Sequence, residues 1–196
     1  MRDTLKQIVN NITPYDNKEM QDQKETFDWL NTNKSIYRCK KPDIPNKHLV
    51  SYFVLYDDKL NNLLLVDHIN AQLWLPTGGH VDINEDPKQT VIRECYEELG
   101  IKAKFWIEEP LFLTSAVTVG LTAGHTDISF WYVLKGNASM KLDYDRNEFH
   151  GIRWFNVNDI PYERTEPSMK RFIGKLLNKC KTLHTFKNLS LENANI

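Results

Sequence analysis

The chain has 196 residues, 41% of them hydrophobic and 26% charged, with a formal net charge of -1. That length suits one hydrophobic core with a modest extension, and the composition is that of a folded, soluble chain. So balanced a charge offers no broad basic field, so nucleic acid is not an expected partner. Leu5, Ile8, Val9 and Ile12 have helical spacing, and a second helix is predicted over about Asn17 to Asn31, with Met20, Phe27 and Leu30 on its apolar side. Pro42, Pro45 and their polar neighbours read as a connector. Residues 1–47 are therefore expected to be a short helical extension, too poor in apolar residues for a core of its own. Three roles stay open for it: covering a pocket, forming a homodimer surface, or packing under the sheet.

From His48 onward the pattern turns to strands. Leu49–Tyr56 and Leu63–His68 are rich in β-branched and aromatic residues and flank a polar turn, which predicts a hairpin. Leu73-Trp74-Leu75 then runs into Pro76-Thr77-Gly78-Gly79, a sharp break. A helix is expected next, capped by Asp86, with Pro87 in its first turn and Gly100 at its C-terminal end. Further strands are predicted at about Lys102–Ile107, Leu111–Val119, Asp127–Leu134 and Ile152–Phe155. A last helix is predicted at about Pro167–Cys180, with Met169, Phe172, Ile173, Leu176 and Leu177 at core spacing, before a polar tail at 183–196. Mixed strands and helices predict an α/β fold, a sheet with helices on its faces.

The longest apolar runs, such as Leu63–Val66, are far too short to cross a bilayer, and the first residues hold no apolar stretch of signal-peptide type. Cys39, Cys95 and Cys180 match no zinc or redox spacing, which fits reduced thiols in a cytoplasmic chain. His48, His68, His80 and His150 likewise show no metal-ligand spacing.

Chemistry concentrates between Gly79 and Ile101. On a helix, Val91, Ile92, Cys95 and Leu99 share one arc, while Glu94, Glu97 and Glu98 share another at i, i+3, i+4. Like charges so placed repel one another and weaken a helix. A hard divalent cation such as Mg²⁺ or Mn²⁺, which takes oxygen ligands and keeps positions for water and phosphate, reverses that sign. Gly78 and Gly79 ahead of the helix permit close backbone approach to a ligand.

Gly79, Glu85 and the run Arg93-Glu94-Cys95-Tyr96-Glu97-Glu98-Leu99-Gly100-Ile101 resemble the Nudix box, G-x5-E-x7-R-E-U-x-E-E-x-G-U, where U is a bulky aliphatic. Every fixed charge and glycine is matched; Cys95 at the first U position is the one departure, and a cysteine packs as a small hydrophobe. The resemblance implies a Nudix-type α/β/α sandwich around a mixed sheet, occupying about residues 48–182. It also implies hydrolysis of a diphosphate linkage in a small nucleoside diphosphate derivative, with Mg²⁺ or Mn²⁺. By position, Glu94, Glu97, Glu98 and the Gly79 carbonyl would hold the metal, Arg93 would orient the acids, and Glu85 would support Arg93. The general base would be a box glutamate, Glu98 first and Glu97 next, or Glu148 from a later loop.

Substrate contacts are less legible. His125 and Asp127 at a strand entrance are candidates for bonding a base or ribose, or else form an ordinary turn. Trp74, Phe53, Trp131 and Tyr132 are aromatic candidates for stacking, against the competing reading that they are core. Ser115–Val119 carries neither the proline nor the tyrosine that marks Nudix subgroups at this place, so the substrate stays open. Two other functions share the fold: a nucleotide sensor without turnover and an isoprenoid diphosphate isomerase.

Overall fold

The computed structural model describes residues 1–40, 44–119 and 123–193; the Pro42 end of the expected connector lies outside them. Among the described residues there are four α-helices, α1 (Arg2–Asn11), α2 (Asn17–Leu30), α3 (Pro87–Leu99) and α4 (Met169–Asn193). The strands are β1 (Lys47–Asp57), β2 (Asn62–His68), β3 (Leu73–Leu75), β4 (Thr77–His80), β5 (Phe112–Val117), β6 (Thr126–Lys135) and β7 (Phe149–Asn156). They form one sheet of order β3-β2-β1-β6-β5, with β4 paired to β1 and β7 to β2. The β1–β6 pair is parallel and the others are antiparallel, so the sheet is mixed.

Alternation along the central strands divides the molecule into layers. Leu49, Phe53 and Leu55 of β1, with Ile128, Phe130 and Tyr132 of β6, pack against Val91, Cys95 and Leu99 of α3 and the buried residues of α1 and α2. Val54 and Tyr56, with Trp131 and Val133, face Met169, Phe172, Ile173 and Leu176 of α4. The result is the expected α/β/α sandwich. The N-terminal helices share the α3 core: Leu5, Val9, Ile12 and Leu30 are each no more than 4% exposed.

Departures from the predicted elements have local causes. Ile92 is 49% exposed and Met20 58% exposed, so neither joins a core. The buried side of α2 is Glu19, Asp22, Thr26, Trp29 and Leu30; this helix lies against the edge strand β5, and Glu19 accepts from the Leu113 amide there. Segment 102–107 is not a strand. β5 takes the edge of β6 as far as Trp131, leaving Phe105 only an isolated bridge to Leu134. Thr77–His80, expected as a break, is a short strand: β2 pairs with β1 only at Tyr56 and Asp57, which leaves the first half of β1 open to β4. Helix α4 runs to Asn193, past its expected end at Cys180, since no glycine or proline follows Gly174.

Asp16 caps α2 by accepting from the Glu19 amide at 2.9 Å, and it receives Arg171 of α4 through two bonds of 2.7 and 2.6 Å. The Arg171 hydrogen bond holds its carboxyl down at about 2, against the ordinary 3.8. A carboxylate whose pKa is lower in the folded state adds stability above its unfolded pKa, and loses it as pH falls through the folded one. We therefore expect Asp16→Asn, which keeps the cap, to cost stability at neutral pH. The difference from wild type should shrink between pH ~4 and ~2 in chemical-denaturation midpoints; a pH-independent difference would refute this.

Candidate active site

Helix α3 begins with a capping box. Asp86 accepts from the amides of Lys88 and Gln89, and Gln89 Oε1 accepts from the Asp86 amide. That start sets the rotation of the helix. Val91, Cys95 and Leu99 go into the core, and Glu94 and Glu98 turn toward β4. At Gly78 the backbone has φ +138°, and an added Cβ would sit 2.0 Å from the Ser51 carbonyl oxygen. Only glycine lets β4 lie this close to β1. An added Cβ on Gly79 would meet Glu94 Oε1 at 2.0 Å, so the carboxylate rests directly on the Gly79 backbone.

Arg93 organises the acidic face. Its Nε and Nη2 donate to the two Glu85 oxygens, both at 2.9 Å. Nη1 donates to Glu94 Oε1 at 2.7 Å and Glu97 Oε2 at 3.1 Å, and Nη2 also reaches the His80 carbonyl at 3.2 Å. Thr90 Oγ1 donates to Glu85 Oε2 at 2.7 Å. Burial pushes Glu85 up, but the bonds from Arg93 and Thr90 outweigh it and hold the carboxyl below its usual value. The bidentate pair fixes the guanidinium in one orientation.

Glu98 stands differently. It is 5% exposed, accepts one bond from the Gly78 amide at 2.9 Å, and has no cationic partner among the described residues. Burial first, then the charge of Glu94, raises its pKa well above the carboxylate range. Burial likewise raises Glu94, opposed by Arg93 and reinforced by Glu97 and Glu148. Glu148 reaches the cluster from the loop before β7, and that loop is tied to α3 by the Asp145 amide donating to the Glu98 carbonyl at 2.9 Å. Buried carboxylates crowded in this way are unstable as anions without a counter-charge. An oxygen-rich set beside an open backbone suits a hard divalent cation.

These groups line one open cleft of about 1070 Å³, large enough for a nucleotide derivative. Of the residues singled out in the sequence, Gly78, Gly79, Arg93, Glu94, Glu98, His125, Asp127 and Glu148 line it. Glu97, half exposed, and Glu85 lie behind Arg93 and touch the site through it. Trp74 stands elsewhere, edge-on to Phe155 at 5.0 Å among the residues packed toward α4. Phe53, Trp131 and Tyr132 are core.

The cleft also holds residues that no local motif announced: Arg38, Tyr52, His68, His80 and Thr118. A small recess adjoins it, lined by Tyr52, Thr114, Asp127, Ser129 and Glu166 among others. Burial pushes the Glu166 carboxyl up to about 7, although the Ser168 amide donates to it at 2.6 Å. His80 is driven down to about 3, by burial and then by Arg38. The only signal that could have drawn attention to Tyr52 or His80 is strand alternation opposite the glycines, since Tyr52 pairs with Gly78 and Val50 with His80.

Similarity to known proteins agrees with this layout. A family model described as the NUDIX domain matches residues 46–176. The human protein Nucleoside diphosphate-linked moiety X motif 6 is 28% identical over 126 residues, 63% of this chain and 39% of that protein. The RNA pyrophosphohydrolase of Brucella anthropi is 33% identical over 78 residues, 35% of this chain and 45% of that protein. The chain thus spans less than half the length of these curated relatives. A NUDIX-family hydrolase from Clostridium perfringens superposes with a TM-score of 0.52 at 19% identity, covering 66% of this chain and 95% of that one. A C. elegans Ap4A hydrolase binary complex gives 0.52 at 18% identity, covering 68% and 98%. At such identities the structures attest the fold. The family match, by contrast, runs from the connector before β1 into α4 and takes in the whole acidic helix, and on that ground the chain belongs to the Nudix family.

Proposed function

We propose that this chain hydrolyses a diphosphate linkage in a nucleoside diphosphate derivative, with Mg²⁺ or Mn²⁺ as cofactor. The observation that carries the reading is the Glu94–Glu98 pair, set against the Gly79 backbone on the wall of the cleft, with Glu98 buried beside no cation among the described residues. Glu94, Glu97, Glu98 and the Gly79 carbonyl would hold the metal. When bound, the ions neutralise phosphate oxygens and lower the pKa of attacking water.

The chain's own residues do the rest. Arg93, clamped by Glu85, holds Glu94 and Glu97 in register. The proton lost by the attacking water would go to Glu98 or Glu148, two cleft-lining carboxylates near Glu94 that Arg93 does not hold. Tyr52 lines the same cleft and would meet the nucleoside part. None of the described helices is long and apolar enough to cross a membrane. The isomerase alternative needs a reactive thiol, whereas Cys95 is fully buried and burial pushes it up to about 12.

A screen tests the proposal. Nucleotide sugars, ADP-ribose, dinucleoside polyphosphates, NADH, CoA, nucleoside triphosphates and 5′-triphosphorylated RNA are each incubated with Mg²⁺ or Mn²⁺, and phosphate-containing products are followed. At least one substrate should yield metal-dependent product. Tight binding without product on any of them would favour the sensor reading instead.

A further inference from the structure

Four side chains with no common motif meet on the cleft wall: His48 from β1, His80 from β4, and His125 and Asp127 at the start of β6. One potential ligand atom from each lies within 4.8 Å of all the others. The sheet makes the meeting. His48 stands opposite Asp127 in the parallel β1–β6 register, and Val50, two residues along β1 on the same face, stands opposite His80. His48 is 0% exposed, and His125 and Asp127 are each 7% exposed.

Three polar atoms there lack the hydrogen bonds that burial demands. His48 Nε2, His80 Nε2 and Asp127 Oδ1 are buried without a hydrogen bond. A buried polar atom left so costs free energy that folded proteins rarely concede, and three meeting at one point calls for an occupant. The His48 tautomer sharpens this. Its Nδ1 lies 2.8 Å from the Pro45 carbonyl, which can only accept, so Nδ1 carries the hydrogen. The neutral ring then aims the Nε2 lone pair at Asp127 Oδ1, 3.3 Å away, and two lone pairs repel unless a cation lies between them. His125 Nε2 approaches the same oxygen at 3.2 Å, and its Nδ1 is 3.2 Å from Thr118 Oγ1. Ring nitrogens held from behind by a carbonyl or hydroxyl are the usual support of metal-bound imidazoles.

We propose that His48, His80, His125 and Asp127 form a second metal site, separate from the carboxylate cluster, for a divalent transition ion of the Zn²⁺ type. Three imidazoles and one carboxylate are the donor set of a borderline ion, whereas Mg²⁺ takes oxygen. The spacing agrees. Zinc bonds of about 2.0–2.1 Å in a tetrahedron separate neighbouring ligand atoms by roughly 3.3–3.4 Å. The two nitrogen-to-Asp127 distances, 3.3 and 3.2 Å, match that edge. With an ion in place, the site ties the β6 entrance to β1 and β4, so one wall of the cleft is held by metal instead of by packing alone. The competing occupant is a proton, with one imidazolium paired to Asp127.

The test uses the full chain, stripped with a chelator and titrated with Zn²⁺ and with Co²⁺ under an excess of Mg²⁺. Metal per chain is read by mass spectrometry and Co²⁺ geometry by visible absorption. We expect one tightly held Zn²⁺ per chain and the intense Co²⁺ bands of a tetrahedral, nitrogen-rich site. His80→Gln, at a half-buried position, and Asp127→Asn should each weaken Zn²⁺ by about 100-fold or more, since even supporting residues are worth 10–100-fold. Glu98→Gln should leave uptake unchanged. No stoichiometric uptake by the folded wild type, weak octahedral Co²⁺ bands, or uptake that Glu98→Gln abolishes and His80→Gln spares would each overturn the proposal. The wild-type spectrum decides even if a variant fails to fold.

Discussion

Glu98→Gln is expected to leave a folded protein whose turnover falls by roughly 10²–10⁴-fold, the range for losing a group that handles charge or a proton in the rate-limiting step. Gln keeps the volume of the side chain and can still accept from the Gly78 amide, so little of the packing is at stake. What vanishes is the anion that a divalent ion or the attacking water would meet. Glu94→Gln and Glu97→Gln should act in the same direction, and excess Mg²⁺ should rescue none of them fully. Thermal unfolding should support this from the opposite side. Removing a carboxylate that burial and Glu94 already push toward protonation relieves repulsion, so metal-free Glu98→Gln should be no less stable than wild type. Near-normal turnover by Glu98→Gln, measured on any substrate the wild type hydrolyses, would remove the carboxylate cluster from the chemistry.

The largest stability effect is expected far from the cleft, at Glu19. This carboxylate is 0% exposed and accepts from Lys175 Nζ at 2.7 Å, from the Leu113 amide at 3.1 Å and from the Tyr15 amide at 2.6 Å. It thereby joins α2, the edge strand β5 and α4 through one side chain. Glu19→Ala would leave the buried Lys175 ammonium and an edge amide without partners, and breaking such a pair costs about 3–5 kcal/mol. Desolvation already pulls the Lys175 pKa down, so a lone Lys175 would become easier to deprotonate. Glu19→Leu with Lys175→Met should recover much of the loss, because two apolar groups replace two charges. If Glu19→Ala shifts the urea midpoint no further than a surface substitution does, the buried pair is not what holds the extension in place.

These two sites differ in how far the chain's letters announce them. The acidic cluster is local: Glu94, Glu97 and Glu98 sit on one helix, and the 3.6-residue repeat places them together whatever the rest of the chain does. The same holds for the Asp86 cap, the hairpin of β1 and β2, and the core stripe of α4. Glu19 is the opposite case. In the sequence it is one acid on a polar helix; its partners Leu113 and Lys175 arrive only when β5 becomes an edge strand and α4 packs on the opposite face. Met20 and Ile92 show the same limit in reverse, because helical spacing marks an arc as apolar without saying what will cover it.

Sequence alone determined the acidic helix and its two leading glycines, since these rest on residues close together in the chain, and the box they belong to carried the resemblance that implied the family and the α/β/α layering. Tertiary structure decided which of those acids enter the cleft, that Trp74 stays out of it, that the N-terminal helices brace the sheet, and that His48, His80, His125 and Asp127 converge. The reason is register. Strand pairing brings residues 32 to 79 positions apart within a few ångströms of one another, and no short-range periodicity along the chain encodes which strand will lie beside which.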